Sequence, residues 1–231
     1  MSAVGAEPWG QSQHIDHVSS DQARGLDAKK KTLGASERRE EERAKWRGQM
    51  KEVDPTRLVI VDECGSNIAL TPLYGWAAKG RRVHGSVPRN RGKNMTLLAS
   101  LSLSGIGACM LIEGSVNAAA FEAYVEHILA PSLTAGQIVV LDNLSAHKGV
   151  RVPQLIEERG CELLFLPAYS PDYSPIEETF SKVKTFLRKV GARTHEALQD
   201  AIGLALETVT ASDALGWFTH CGYVAASASN L

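Results

Sequence analysis

Residues 137–143 read QIVVLDN, a short run of apolar, largely β-branched residues that leads to an acid. The earlier stretch RLVIVDE, residues 57–63, has the same pattern. Short apolar runs of this kind are typical of buried strands. If the two strands are neighbours, Asp62 and Asp142 emerge at one edge of the sheet, where sites in open α/β sheets form.

The surrounding sequence predicts strands first and helices later. Residues 94–105 and 108–114 have long β character and a turn at Ser104-Gly105, which predicts a hairpin. Asn117 opens a stretch with one apolar face and predicts a capped helix over 117–130. Further elements are predicted over 74–78 (strand), 148–159 (helix), 162–168 (strand), 176–190 (helix) and 195–208 (helix). The order predicts an α/β fold, a mixed sheet flanked by helices that starts antiparallel and continues through right-handed crossovers.

Four zones divide the chain. Residues 1–36 are polar, without convincing periodicity, and are expected to be largely disordered. Residues 37–54 begin with a stretch dense in mixed charge and good helix formers, which predicts a solvated helix and a linker. A packed domain is expected over 55–224, followed by a short tail over 225–231.

The composition argues against a disordered chain and against a protein that coats nucleic acid by its overall charge. The chain has 231 residues, 44% of them apolar, which is enough to bury a domain-sized core. Its 25 Lys and Arg residues balance 26 Asp and Glu residues, so contact with nucleic acid must come from local patches. The four cysteines are scattered, without zinc-ligand spacing, and are expected to be reduced. Because no signal-like segment or membrane-spanning run is evident, we expect a soluble, cytoplasmic protein.

A third acid completes a candidate site. Glu177 starts the helix predicted after the turn YSPDYSP, and 34 residues separate it from Asp142. Three carboxylates that converge without a basic partner repel one another, and a divalent cation relieves that repulsion. Oxygen ligands favour Mg²⁺ or Mn²⁺, and two such ions about 3.5–4 Å apart clamp both oxygens of a phosphodiester displacement. The alternative is that each acid is a solvated residue or a cap, and the argument for a site is their joint placement.

Three motifs carry a family resemblance. VDECGSN (61–67), VVLDNLSAHK (139–148) and FLPAYSPDYSPIEETFSKVK (165–184) resemble the catalytic domain of bacterial insertion-sequence transposases of the mariner superfamily. The resemblance extends from about Lys29 to Gly222, and a 34-residue gap before the third acid is typical of that family. It implies a ribonuclease H-like fold with an aspartate–aspartate–glutamate (DDE) triad.

Carried onto this sequence, the triad is Asp62, Asp142 and Glu177, which would be both catalytic residues and ligands of two Mg²⁺ or Mn²⁺ ions. The implied activity is cleavage at transposon ends and strand transfer to target DNA, commonly at a TA dinucleotide. The implied assembly is a homodimer on double-stranded DNA in a bacterial cytoplasm, associated with the nucleoid and not with a membrane. Neighbouring Glu63 is expected on the opposite strand face, whereas Glu178 is the main rival to Glu177.

Two residues follow the second aspartate in the motif DNLSAH. The resemblance makes Asn143 and His147 groups that orient the metal ligands or contact phosphate. The alternative is that Asn143 caps a turn and His147 starts a helix.

A basic stretch without an acid predicts DNA contact. It comprises Lys79, Arg81, Arg82, Arg89, Arg91 and Lys93. Clustered cations release counterions from a DNA backbone, although a solvated loop is the usual alternative for such a run. Lys182 and Lys184 on the helix after Glu177 are candidates for the same surface, and mixed exposure without DNA contact is the alternative. Trp76, on the strand predicted at 74–78, is expected to belong to the core and not to a base-stacking platform.

The sequence departs from the family before the catalytic domain. Relatives place helix-turn-helix modules there, and residues 1–28 do not resemble one. Two interpretations stay open, a part joined to a separately encoded DNA-binding part by frameshifting and a truncated remnant. The function implied by the resemblance is a transposase core. Two alternatives stay open, a non-catalytic DNA-binding remnant that interferes with the intact enzyme and a structure-selective nuclease of the same fold.

Overall fold

A computed structural model describes residues 35–143 and 149–223. The predictions for residues 1–34, for His147 and for the tail lie outside these described residues. The helices are α1 Glu40–Met50, α2 Ala118–Tyr124, α3 Arg151–Glu157, α4 Pro175–Val190, α5 His195–Glu207 and α6 Ala211–His220. A π-helical turn Val125–Leu129 and a last turn Ala130–Ser132 extend α2, and 3-10 turns span Pro55–Arg57 and Pro171–Tyr173. The strands are β1 Leu58–Ser66, β2 Met95–Ser102, β3 Gly105–Glu113, β4 Ile138–Leu141 and β5 Glu162–Phe165.

The five strands form one mixed sheet in the order β3-β2-β1-β4-β5. β1 is antiparallel to β2 and parallel to β4, which is itself parallel to β5. The hairpin β2–β3 is present as predicted, although its turn lies at Leu103-Ser104, one residue earlier. The predicted mixed sheet that starts antiparallel and continues in parallel is therefore the observed one.

Strand alternation divides the core between the two faces of the sheet. Leu58, Ile60 and Cys64 of β1 pack on the side of α1, α4, α5 and α6. Val59 and Val61 pack on the other side, against α2 and α3. Because side chains alternate along a strand, Asp62 lies on the face of α4, and Glu63 lies on the opposite face.

The charged helix near the N-terminus differs from its prediction. Helix α1 forms, but it is not solvated, because Arg43, Trp46 and Met50 are buried against the domain. Their spacing of three and four residues is that of one helix face. The sequence pattern did not predict a buried face here, because one of its three buried residues is an arginine. The domain boundaries at 36, 54 and 224 stay predictions.

Two further stretches differ from their predictions. No strand forms at 74–78, and the Trp76 side chain, expected in the core, is fully exposed, because residues 67–94 leave the sheet between β1 and β2. Helix α6 was not predicted. A capping box begins it, in which the Thr210 and Asp213 side chains each accept a hydrogen bond from the other's backbone N–H.

The structure also bears on the expected reduced cysteines and on the expected lack of a membrane-spanning run. All four cysteines are free thiols. Among the described helices, none has the length and apolar character needed to cross a membrane.

Candidate active site

Two neighbouring strands and one helix position the three predicted catalytic acids. Val61 of β1 is the register partner of Leu141 of β4, so Asp62 and Asp142, the next residues, leave the parallel pair at the same level. Glu177 lies in the first turn of α4, which starts at Pro175. A proline suits a first helical position because its missing N–H has no acceptor there.

The three acids line one cleft. Asp62, Asp142 and Glu177 share a cavity of about 360 Å³ with Asn143 and with the loop 166–174. The structure thus brings together residues that are 80 and 35 positions apart in sequence. Their catalytic role stays a prediction.

The Asp62 carboxylate of the cleft is not neutralised by a neighbouring cation, as its pKa indicates. The pKa of Asp62 is raised to about 7, mainly by burial and further by the negative charges of Asp142, Glu177 and Glu63, against a hydrogen bond from the Glu63 backbone N–H. A carboxylate beside a fixed cation would have a lowered pKa instead. The cleft is therefore suited to a positively charged ligand.

The donor set fits a hard divalent cation. Carboxylate oxygens are the ligands that Mg²⁺ and Mn²⁺ prefer, and Asn143 adds an amide oxygen at the rim of the same cleft. In the part of the chain that the structure describes, no three His, Cys, Asp or Glu side chains already surround a common metal position. Asp62, Asp142 and Glu177 would hold such an ion only if their side chains came closer together.

The loop before Glu177 is a part of the site that sequence reasoning missed. Tyr169 lines the cleft and has φ 56, in the left-handed region that non-glycine residues rarely adopt. Helix α1 holds the loop from outside, since Arg43 binds Asp172 and Arg47 donates to the Tyr173 hydroxyl at 2.6 Å. The arginines and the loop are more than 120 positions apart, and no sequence pattern pairs them.

Glu178, the rival to Glu177 as third acid, lies in different surroundings. The Glu178 carboxylate contacts His220 Nδ1, and both residues line a different cavity of about 340 Å³ beyond the loop. Glu177 borders both cavities, whereas Glu178 does not line the cleft of Asp62 and Asp142. Asn143 lines the cleft, and His147 lies outside the described residues.

The predicted DNA-binding cations fall into two groups. Lys79, Arg81, Arg82, Arg89, Arg91 and Lys93 are all exposed on the segment between β1 and β2. Lys93 also forms an ion pair of 2.8 Å with Glu113. On α4, the Lys182 ammonium is held by Asp213 at 2.7 Å and by the Thr208 carbonyl at 2.8 Å, a contact between helices. Lys184 is half-buried. Burial raises the pKa of the Cys64 thiol, and the positive charge of Lys184 partly opposes that rise.

Comparison with known proteins supports the fold and points to a family. A sequence profile described as "DDE superfamily endonuclease" matches residues 57–199. No curated protein sequence matches the chain. The pre-cleavage Mos1 transpososome has the same fold, with a TM-score of 0.71 and 18% identity over 89% of this chain and 67% of that chain.

Two other solved structures give the same result. The Mos1 mariner paired end complex with Mn superposes with a TM-score of 0.66 and 17% identity over 89% of this chain and 67% of that one. The isolated catalytic domain of Mos1 mariner transposase superposes with a TM-score of 0.59 and 16% identity, over 84% of this chain and 92% of that one. The predicted ribonuclease H-like fold is confirmed, and the chain spans about two thirds of the longer Mos1 chains.

Proposed function

This chain belongs to the DDE superfamily of endonucleases, and from that membership we propose that it is the catalytic core of a cut-and-paste DNA transposase of the bacterial insertion-sequence type. The observation that carries the proposal is the placement of Asp62, Asp142 and Glu177 around one cleft at the edge of the sheet. Phosphodiester cleavage and transfer by this class of site require acidic ligands and no covalent protein intermediate.

Each residue of the cleft has a proposed role. Asp62, Asp142 and Glu177 hold two Mg²⁺ or Mn²⁺ ions, which supply Lewis-acid stabilisation of the attacking and leaving oxygens when bound. Asp62 would be ionised when it holds a cation, because a neighbouring positive charge would offset the burial and the negative charges that raise its pKa to about 7. Asn143 orients the second aspartate or contacts a phosphate from the rim of the cleft.

The partners proposed for this chain are transposon ends and target DNA. Structures of Mos1 that share the fold include a paired-end complex with the left transposon end and a strand transfer complex. Others were solved with Mg or with Mn. We extend the DNA and metal partners to this chain, together with a TA target, an active homodimer, a separately encoded helix-turn-helix part and a location at the bacterial nucleoid.

A joining assay tests the proposal. Purified protein would be incubated with Mn²⁺, a supercoiled plasmid and duplexes that carry a free 3′-hydroxyl, taken from both flanks of the gene. The control is Asp142→Asn, which nearly preserves size but removes the charge that holds metal. Joining that depends on Asp142 would support a transposase core. Nicking without joining would favour a structure-selective nuclease, and no reaction by either protein would contradict catalysis by this chain alone.

A further inference from the structure

The helix that carries Glu177 begins without a capping side chain. Ser174 is the N-cap residue of α4, but its side chain forms no hydrogen bond to the first turn. A serine at this position usually accepts a hydrogen bond from a backbone N–H group of that turn, which helps to fix where the helix starts. The position of the first turn of α4 therefore depends on tertiary contacts.

A buried chain of hydrogen bonds holds the turn before α4. Tyr223 Oη donates to the Tyr173 carbonyl oxygen at 2.6 Å, and it accepts from Trp46 Nε1 at 3.3 Å. Both hydrogen bonds are buried, and none of the three side chains is more than 7% exposed. A buried polar group that loses its partner cannot turn to solvent instead. This chain therefore restrains the turn strongly.

The backbone path from this carbonyl to the third acid is short. The Tyr173 carbonyl belongs to the peptide bond that leads to Ser174, whose N–H donates to the Pro171 carbonyl at 2.9 Å. The Ser174 carbonyl in turn accepts from the Glu177 N–H at 3.1 Å. Rotation of the peptide between residues 173 and 174 would therefore tilt the first turn of α4. The Glu177 carboxylate would then move relative to the two aspartates of the cleft.

The side chain of Tyr173 is held as firmly as its carbonyl. Arg47, one residue after Trp46 on α1, donates to the Tyr173 hydroxyl at 2.6 Å. Tyr223 follows the end of α6, and its ring packs on Phe218 of that helix with 5.8 Å between the ring centres. Two helices that are distant in sequence thus fix one residue of the turn from two sides.

We propose that Tyr223, supported by Trp46, is a positioning residue for Glu177 as a metal ligand. Neither Tyr223 nor Trp46 lines the cleft of the three acids, so both act only through the turn. A small divalent cation such as Mg²⁺ demands a nearly fixed ligand geometry, and residues that orient its ligands set its affinity. This inference rests on the proposed function, because it assumes that Glu177 holds a metal ion.

Mn²⁺ binding to the DNA-free protein, followed by the electron paramagnetic resonance signal of free Mn²⁺, tests the proposal. Tyr223→Phe keeps the ring but removes both hydrogen bonds of the hydroxyl. It should raise the dissociation constant for Mn²⁺ about tenfold. Trp46→Phe removes only the indole N–H and should raise it less, because Tyr223 still donates to the Tyr173 carbonyl. Both variants should bind a blunt DNA duplex as the wild type does.

Tyr124→Phe is the matched control. The Tyr124 side chain is fully buried, and its hydroxyl also donates to a backbone carbonyl, that of Ala108 at 3.0 Å. Tyr124 belongs to the core on the opposite face of the sheet from Tyr173 and Tyr223. The control therefore removes the same kind of hydrogen bond far from α4, and it should bind Mn²⁺ with the wild-type affinity.

Three results would count against these proposals. Equal Mn²⁺ affinity of the wild type and Tyr223→Phe would overturn the positioning role and leave the proposed function intact. An equal loss of affinity in Tyr124→Phe would also overturn it, because a general loss of stability would then explain both. If Tyr223→Phe does not fold, unchanged affinity in Trp46→Phe has the same meaning. Wild-type protein that binds Mn²⁺ no better than Asp142→Asn would contradict the proposed function itself.

Discussion

The guanidinium of Arg43 donates to both carboxylate oxygens of Asp172, at 3.0 and 2.6 Å, and thereby ties the N-terminal helix to the loop of the catalytic cleft. Arg43 is 2% exposed and lies over the Tyr173 ring, 4.1 Å from its centre. Burial of Asp172 opposes its ionisation, but hydrogen bonds from Arg43 and the charges of Arg43 and Arg38 hold the pKa of its carboxyl below the usual value.

Asp172→Asn should destabilise the protein, because it leaves a buried guanidinium without its main counter-charge. We expect the free energy of unfolding to fall by about 2 kcal/mol, less than for a fully buried pair since half of the Asp172 side chain is exposed. Arg43→Met, which fills similar volume without charge, should cost less. Urea unfolding measures both, with Glu40→Gln as the control at an exposed partner of the same arginine. A larger loss for Arg43→Met than for Asp172→Asn would contradict this account.

The sequence was sufficient for the elements that local patterns specify. The runs around Val59 and Val140 are buried on both faces of the sheet, as continuous apolar strands must be. The acids that end these runs then reach one cleft, because parallel neighbours end at the same edge. The Asn117 cap is also observed, as its side chain accepts from the Ala120 N–H at 2.9 Å.

The sequence was not sufficient where distant contacts decide the outcome. Trp76 was expected in the core because a strand was predicted at 74–78, but residues 67–94 leave the sheet and the Trp76 side chain is fully exposed. Arg43 was expected in solvent because arginine usually is, but Asp172 and Tyr173 offer it a partner and a ring 129 and 130 positions away. No local sequence pattern predicts the exposure of Trp76 or the burial of Arg43.

Glu177→Gln should abolish joining and cleavage, whereas Glu178→Gln should leave them within about tenfold of the wild type. The reason is that only Glu177 lines the cleft with Asp62 and Asp142, and Glu178 contacts His220 outside it. Single-turnover cleavage in Mn²⁺ and Mg²⁺ measures the difference, and each substitution is the control for the other because both are isosteric. The reverse order of activities would assign the third acid to Glu178.

Asp62→Asn should stabilise the metal-free protein at neutral pH. In the wild type the pKa of Asp62 rises from 3.8 to about 7, so between these values the unfolded chain releases a proton that the folded chain keeps. The free energy of unfolding then falls as pH rises through this window, by on the order of 2–4 kcal/mol, and is constant above it. An asparagine has no such dependence.

Chemical unfolding in a chelating buffer from pH 4 to 8 measures the effect of Asp62, and the two proteins should be equally stable near pH 4. Added Mg²⁺ should then raise the stability of the wild type only, since the variant lacks one of the charges that hold the ion. Parallel pH profiles for the two proteins would show that neither burial nor the neighbouring acids raise the pKa of Asp62 in the folded protein.

Arg81→Gln combined with Arg82→Gln should weaken binding of a blunt duplex and lower the slope of log affinity against log salt by about 1 for each phosphate that is no longer neutralised. Both arginines are exposed on the segment 67–94 between β1 and β2. Lys182→Gln is the matched control, because the Lys182 ammonium is already bound by Asp213 and by the Thr208 carbonyl. That variant should unfold at a slightly lower urea concentration, because the contact between helices is lost, and should keep the wild-type salt slope. A lower slope for Lys182→Gln, with no change for the arginine pair, would place the DNA on α4 and not on the segment between β1 and β2.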